Sequence, residues 1–436
     1  MNKNKSQKIG LRESTSLVVG NMIGAGIFML PASLAKYGSI SIFGWIISGI
    51  GAIFLAMIFK RLSQKIPGKS GPFHYTKKGF GSFSAFFVVW GYWLSILLTN
   101  AGLAIAITSY STVIFPFLDD KIFSIIFSIS IIWIITIINN YGIKTMGKFQ
   151  FITSILKIIP LLLTIIISFF VFDIKNFFPI NLSELSNFHA LSITTAMTFF
   201  AFLGIESATI PTDGTESPEK TIPLATTIGT FITIAIYIFS SIALMGIISP
   251  NDLASSNAPF ADAINIVLGE TGKNIIAVFA IIAGIGCLNG WTLLQAEIPK
   301  TLAQDGLLGS VFSNLNHNQV PTYGLFITSS FVSLLIIMNY SKGLVGIFTF
   351  LILTGTFCAL MLYVFSSLIE IAILIKQKAP IKKFIVPSLI GIPTFFFTWW
   401  IIFGIGKEPI FYSIILLLIS IPIYIYYKKK SFVKYQ

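Results

Sequence analysis

Long apolar stretches separated by short polar segments follow one another along the whole chain. An α-helix needs about 20 mainly apolar residues to cross the hydrocarbon core of a membrane, and we place about twelve such stretches. The pattern therefore predicts a bundle of membrane-spanning helices joined by loops. The predicted spans cover residues 12–36, 39–60, 82–115, 122–139, 149–172, 190–212, 224–248, 274–302, 322–340, 342–367, 383–404 and 409–427.

Composition and charge agree with this interpretation. The 436 residues are 55% hydrophobic and 10% charged, whereas a soluble domain has roughly 25% charged residues. When the loops are assigned alternately to the two sides, 22 of the Lys and Arg residues lie on one side and 6 on the other, with Lys157 inside a span. The positive-inside rule predicts that both termini are cytoplasmic. Because the net charge of +13 resides in these loops, we expect no nucleic-acid partner.

Two spans suggest an internal duplication. Gly24 precedes Pro31 by seven residues in the first span, and Gly204 precedes Pro211 by seven in the sixth. Five is an odd number of spans, so two five-span units in tandem have opposite orientations. Interrupted helices at matching positions of such halves indicate a transporter site near the middle of the bilayer. We expect one transmembrane domain over 1–436, with repeat one at about 12–172, repeat two at about 190–367 and extra helices at about 383–427.

The first of these stretches, GNMIGAGIFMLP, is a poor helix former. Gly24, Ala25 and Gly26 lie close to Pro31, which has no N–H to donate to the carbonyl about four residues earlier. Free backbone groups are tolerated at this depth only where protein or a wet cavity satisfies them, and a substrate's carboxylate or amine can do the same. The alternative is helix packing, because Gly20 and Gly24 fit a small-xxx-small contact face.

Polar groups within the spans are the other candidates for function. Glu206 is the only acidic residue well inside a span, and an ionisable group there is a functional hypothesis by default, in this case as a proton carrier. The alternative is a structural carboxyl group bonded to a broken helix end. Tyr92, Asn100 and Trp291 combine polar tips with apolar bodies. The Trp291 ring can add about 0.5 to 2 kcal/mol by facing a cation, or it can simply pack.

An enzyme is not indicated. The three histidines, His74, His189 and His317, are isolated, so neither a catalytic triad nor a metal cluster is predicted. The Gly68-Lys69-Ser70 segment lacks the upstream glycine of a phosphate loop. We expect no cofactor and no metal.

Several motifs in the right order carry a family resemblance: GNMIGAGIFMLPASLA, FFAFLGIESA followed by SPEKTIPLAT, and NGWTLLQAEIPKTLAQDGL. They resemble the amino acid-polyamine-organocation permeases and, more narrowly, the basic amino acid/polyamine antiporters. The resemblance covers essentially the whole chain. It implies an all-α integral membrane protein with a LeuT-type fold, two inverted five-helix repeats and two extra helices, in a bacterial inner membrane. Antiporters of this family are often dimers, so a homodimer is among the expectations.

The resemblance also implies roles for individual residues. Glu206 matches the proton-sensitive glutamate, Tyr92 an outward-side gating tyrosine, and Phe202 is expected to take part in gating. The implied substrate contacts are Ile23, Gly24, Ala25, Gly26, Asn100, Phe200, Ala201 and Trp291. Phe200 departs from the family pattern, which has tryptophan in arginine-agmatine and polyamine members, and phenylalanine makes a weaker cation-π contact.

These observations predict a secondary transporter that exchanges a cationic amino acid (ornithine, arginine or lysine) for a polyamine or related amino acid. Ala201 and Ile96 make the pocket more apolar than in some members of the family. Phe200, Ala201 and the scarcity of carboxylates in the membrane favour a second interpretation, a proton-coupled permease for neutral or aromatic amino acids. A nutrient sensor with a transporter fold and no turnover is a remote third. Amino acid or polyamine substrates and the lipid bilayer are the expected partners.

Overall fold

The computed structural model describes residues 10–66, 71–141, 146–206, 216–339 and 342–433. We number the α-helices of these ranges α1 to α16, and α11 passes through a kink at Gly269, where φ is 64°. In chain order the helices are Leu11–Met22, Ala25–Ala35, Ile40–Lys65, Gly71–Phe80, Ser82–Ser111, Lys121–Asn140, Met146–Val171, Asn187–Phe200, Pro218–Ile247, Pro250–Ser255, Pro259–Gln304, Thr322–Met338, Leu344–Lys376, Ile385–Ile405, Lys407–Leu418 and Ser420–Val433.

The helices confirm the predicted membrane architecture. Within the described ranges, 9 helical segments are long and apolar enough to cross a membrane. Two shorter apolar helices, Leu156–Val171 and Thr322–Met338, coincide with two further predicted spans, and the 14-residue helix α8 begins a third. The 9 segments are Leu11–Ala35, Ile40–Lys65, Ser82–Ser111, Lys121–Asn140, Glu219–Ile247, Pro259–Gln304, Leu344–Lys376, Ile381–Ile405 and Lys407–Lys430.

The first span, predicted over 12–36, is two helices, α1 and α2, that cover almost the same residues, and α2 passes through Pro31 and continues to Ala35. In the same turn, the Tyr110 hydroxyl donates to the carbonyl of Phe28 over 3.0 Å, next to the carbonyl of Ile27, which is the one that loses its helical donor to Pro31. The sixth span leaves the α-helical conformation after Phe200, earlier than its predicted end.

Local sequence explains several helix starts. Asp120 precedes α6 and its carboxylate accepts from the N–H groups of Ile122 and Phe123 over 2.8 and 3.3 Å. Ser186 does the same for α8 through the N–H of His189. Such side chains satisfy N–H groups that have no partner within the helix.

Two groups of helices pack around the first span, and they contact each other through α7 and α11 and through α8, α13 and α14. Helix α1 packs on α9 and α7, α2 contacts α11, α10 and α5 as well as α8 and α9, and α3 lies against both α8 and α9. The long helix α5 packs against α13 and α11, and α12 packs against α6. Helix α5 is buried almost along its whole length, so it forms the centre of the second group and presents its side chains to the two interrupted spans.

Candidate substrate-binding site

The first interruption separates α1 from α2 at two residues. Ile23 has ψ 87° and Gly24 is extended, with φ −110° and ψ −175°. The Gly24 N–H donates to the carbonyl of Met22 over 2.9 Å. Helix α2 then starts at Ala25. Its first N–H groups have no partner within the helix, and together with the helix dipole they favour an anionic group.

The carbonyl end of α1 is covered by the protein itself. The Lys157 ammonium group on α7 donates to the carbonyl of Gly20 over 2.7 Å. The Tyr237 hydroxyl on α9 lies 2.6 Å from the carbonyl of Met22. Both side chains are 0% exposed. The carbonyl groups of Gly20 and Met22 at this break therefore have partners on α7 and α9.

The second interruption follows α8. Residues 201–206 form turns and a short 3-10 segment, in which Gly204 has φ 102°, a conformation that favours glycine. A Cβ atom at Gly204 would lie 3.2 Å from the Trp291 ring and 3.5 Å from the Asn21 side chain. Trp291 thus packs directly on this break. Pro211, the proline of the predicted repeat, lies outside the described residues.

The two interruptions are joined by one side chain. The Tyr237 hydroxyl lies 3.2 Å from the carbonyl of Ala201 in addition to its bond with Met22. Its ring packs edge to face against Phe202, with ring centroids 5.4 Å apart, and Phe202 packs in the same way on Trp45. Phe202 is thus part of an aromatic cluster beside the site.

Glu206 is the last described residue of the second interruption and is 0% exposed. One carboxylate oxygen accepts from the Tyr92 hydroxyl on α5 over 2.5 Å, and the other accepts from the Tyr363 hydroxyl on α13 over 3.0 Å. The Tyr363 ring in turn packs edge to face on Phe199 and Phe59. The carboxyl group therefore joins the second interrupted span to two helices of the other packing group.

Phe200 faces the first interruption. A Cβ atom at Gly26 would lie only 2.8 Å from its ring, so the phenylalanine is packed against bare backbone at the start of α2. Its other neighbour is Phe348 on α13, with ring centroids 6.2 Å apart and planes nearly perpendicular. The Phe200 ring thus lies between α2 and α13.

Asn100 belongs to a chain of buried polar groups. Its amide nitrogen donates to Gln295 on α11 over 2.7 Å, and Gln295 donates to Ser329 on α12 over 3.0 Å. The Asn100 side-chain oxygen is buried and has no hydrogen-bond partner among the described residues. An acceptor in this state is costly unless a ligand or water satisfies it.

The predicted residues form one region around the two breaks. Ile23, Gly24, Ala25 and Gly26 form or follow the first break, Ala201 follows α8, and Phe200 and Trp291 each contact one of the breaks. Their roles, like the gating roles of Tyr92 and Phe202, stay predictions.

Sequence reasoning did not identify three residues of this region: Lys157, Tyr237 and Tyr363. Lys157 carried a signal, since it is a cation inside a span. Tyr237 and Tyr363 carried no sequence signal that distinguishes them among the 14 tyrosines of the chain.

The sequence matches the amino acid permease family over residues 9–424. The chain therefore belongs to that family, and it is a transporter, not an enzyme. Its relatives place it, within the amino acid-polyamine-organocation superfamily, among the basic amino acid/polyamine antiporters.

Three of these relatives are similar over most of their length. The chain is 33% identical to a cadaverine/lysine antiporter of Escherichia coli K12, over 78% of this chain and 77% of the relative. It is 29% identical to the putrescine transporter PotE of Haemophilus influenzae, over 96% and 97%. It is 30% identical to the putrescine transporter PotE of Escherichia coli K12, over 97% of each.

Proposed function

We propose that the chain exchanges a cationic amino acid, such as ornithine, arginine or lysine, for a polyamine or related amino acid by alternating access. The observation that carries the proposal is Glu206, a fully buried carboxyl group held by Tyr92 and Tyr363 beside two interrupted helices. A buried carboxylate requires a compensating positive charge. A cationic substrate or a proton supplies that charge, so the two compete in a transport cycle.

The first interruption binds the substrate's carboxylate in this proposal. The carbonyl groups of Gly20 and Met22 already accept bonds from Lys157 and Tyr237. The break ends, beyond Ile23 and Gly24, at the start of α2, and the first N–H groups of a helix have no partner within it and favour an anion. Cadaverine and putrescine have no carboxylate, so they gain nothing from this contact and depend on the rest of the site.

The remaining contacts fit the amine groups. Phe200 and Trp291 provide ring faces that attract a cation by about 0.5 to 2 kcal/mol each. The Asn100 side-chain oxygen is an acceptor without a partner among the described residues, and an ammonium group is a donor. Ala201 adds apolar surface. Substrate binding through Phe200, Trp291 and Ala201 is supported by their position at the breaks, and binding through Asn100 by its side-chain acceptor.

Alternating access follows from the way in which the breaks are tied together. Tyr237 contacts the carbonyls of both Met22 and Ala201, so α1, α8 and α9 move as a unit against α5 and α13. The Glu206 bonds to Tyr92 and Tyr363 cross the boundary between the two groups and must change in that motion. Tyr92 gates the site through this bond, and Phe202 follows the moving group.

Localisation and assembly complete the proposal. We place the chain in a bacterial cytoplasmic membrane with both termini in the cytoplasm, because the Lys and Arg residues predominate on that side. Repeats at about 12–172 and 190–367 are supported by the matching positions of the two breaks. A homodimer is proposed from the family alone.

A second function, a proton-coupled permease for neutral or aromatic amino acids, was favoured by Phe200 and Ala201. The relatives are named for cadaverine, lysine and putrescine and do not favour it. Competition separates the two: lysine and ornithine should inhibit uptake of a labelled cationic substrate far better than leucine and phenylalanine. Inhibition in the opposite order would overturn the proposal. Turnover in liposomes would exclude a sensor that does not transport.

A further inference from the structure

A cavity of about 470 Å³ lies at the end of the molecule where α2 ends and α13 and α15 begin. Side chains of α2, α13 and α15 line it, and they include both hydroxyl and charged groups. The residues that matter here are Ser33, Lys36, Lys342, Thr349 and Glu408. We call this cavity the vestibule.

The vestibule is separated from the proposed substrate site by a thin layer of side chains. The hydroxyls of Ser33 and Thr349 form a hydrogen bond of 2.8 Å between α2 and α13. Phe348, next to Thr349, packs on Phe200, whose ring lies against Gly26. From Ser33 to Gly26 is about 10 Å along the helix, at 1.5 Å per residue. A substrate leaving the vestibule toward the helix break has to part these contacts.

The charged side chains that line the vestibule carry more positive than negative charge. The Lys342 ammonium group forms an ion pair of 2.8 Å with Glu408 and lies 4.1 Å from the Phe350 ring centroid. Lys36 has an exposed side chain and no carboxylate within ion-pair distance among the described residues. The three charged side chains therefore sum to one excess positive charge, which belongs to Lys36.

We propose that the vestibule is an external binding subsite for the carboxylate of an amino acid, held by Lys36, and that it selects amino acids over diamines on that side of the membrane. The inference rests on the proposed function. An amino acid such as lysine presents a carboxylate to Lys36, whereas a diamine presents two cations and no anion. The subsite attracts the first and repels the second.

This selection gives the exchange a direction. On the vestibule side the amino acid loads in preference, and a diamine that has left the site is discouraged from returning. The effect is moderate because the cavity is open to water: reversing one unit charge a few ångströms away should change the ratio of affinities about three- to tenfold.

Charge at position 36 can be reversed chemically in one variant. Cys287 and Cys358 are 1% and 0% exposed, so a cysteine placed by Lys36→Cys is the reactive thiol among the described residues. Right-side-out vesicles that carry the variant are treated with membrane-impermeant methanethiosulfonates bearing either an ammonium or a sulfonate group. External lysine and cadaverine then compete against uptake of a labelled substrate.

The ammonium adduct should retain the wild-type preference for lysine, and the sulfonate adduct should shift the inhibition ratio toward cadaverine by about three- to tenfold. Lys175→Cys is the matched control, because Lys175 is exposed at the same end, where Ser39 bonds to the carbonyl of Phe177, and does not line the vestibule. Its two adducts should give the same ratio.

Two results would overturn the inference. One is a lysine-to-cadaverine inhibition ratio that is the same for both adducts at position 36, and the other is a failure of the external reagents to modify Lys36→Cys. Neither result touches the proposed function. That function fails separately, if wild-type vesicles show uptake that is independent of internal counter-substrate.

Discussion

The contact between Phe200 and Gly26 gives a direct test of the geometry at the first break. A Cβ atom introduced by Gly26→Ala would lie 2.8 Å from the Phe200 ring. Carbon atoms in contact are about 3.5 Å or more apart, so the ring must move by roughly 0.7 Å. Phe200 is 6% exposed and has Phe348 on its other side. Overpacking of this kind costs about 1 to 3 kcal/mol.

The variant should therefore melt at a lower temperature and bind substrate more weakly, since the displaced ring belongs to the proposed site. With an unfolding entropy of roughly 2 cal/mol/K per residue, the melting midpoint should fall by about 1 to 3 °C. Thermal melting of the purified protein, with and without lysine or cadaverine, measures both effects.

Gly102→Ala is the control, because a Cβ atom there would meet its nearest neighbour at 3.6 Å, an ordinary contact. It should be neutral or slightly stabilising. Phe200→Leu combined with Gly26→Ala should recover part of the loss, with a coupling of about 0.5 to 3 kcal/mol between the two changes. If Gly26→Ala melts and binds like Gly102→Ala, the packing of Phe200 on the break is wrong.

Three further predictions concern the contacts around the site. Glu206→Gln should flatten the pH dependence of transport while binding stays measurable, because it removes the proposed proton carrier; an unchanged pH profile of uptake would assign that role elsewhere. Tyr237→Phe should lower the free energy of unfolding by about 1 to 3 kcal/mol, since it removes the donor to the Met22 carbonyl. Tyr412→Phe, at a half-exposed position, is the control in thermal melting, and equal melting midpoints of the two variants would refute the prediction. Glu370→Gln should loosen the contact between α3 and α13, because Glu370 pairs with Arg61 at 2.7 Å and with Lys65. Labelling of a cysteine at Ser367, which lines the adjacent small cavity, should then become several-fold faster. An unchanged labelling rate would show that these ion pairs do not close this end of the molecule.

The membrane architecture and the first break were predictable because they depend on local pattern. Apolar runs of sufficient length predict spans, and clustered glycines predict a weak helix. Pro31 lies inside α2, which continues to Ala35, so the proline does not end the helix and the predicted span 12–36 is almost fully helical apart from the break.

The partners of the breaks could not be predicted. Tyr237 reaches Met22 across 215 residues, and Tyr363 reaches Glu206 across 157. Such pairs depend on how the spans pack, which no local pattern encodes. The cluster around Glu206 was therefore only partly predictable. The carboxyl group stands out in an apolar span and Tyr92 was singled out, but nothing in the sequence around Tyr363 indicates its contact with Glu206.

Exchange in proteoliposomes tests the proposed antiport directly. Labelled lysine or ornithine outside is offered to vesicles loaded with cadaverine, putrescine, leucine or no counter-substrate. An exchanger of cationic substrates takes up the label rapidly with the diamines inside and little with leucine or empty vesicles. Equal uptake into empty vesicles would contradict the claim that the chain is an exchanger of cationic substrates.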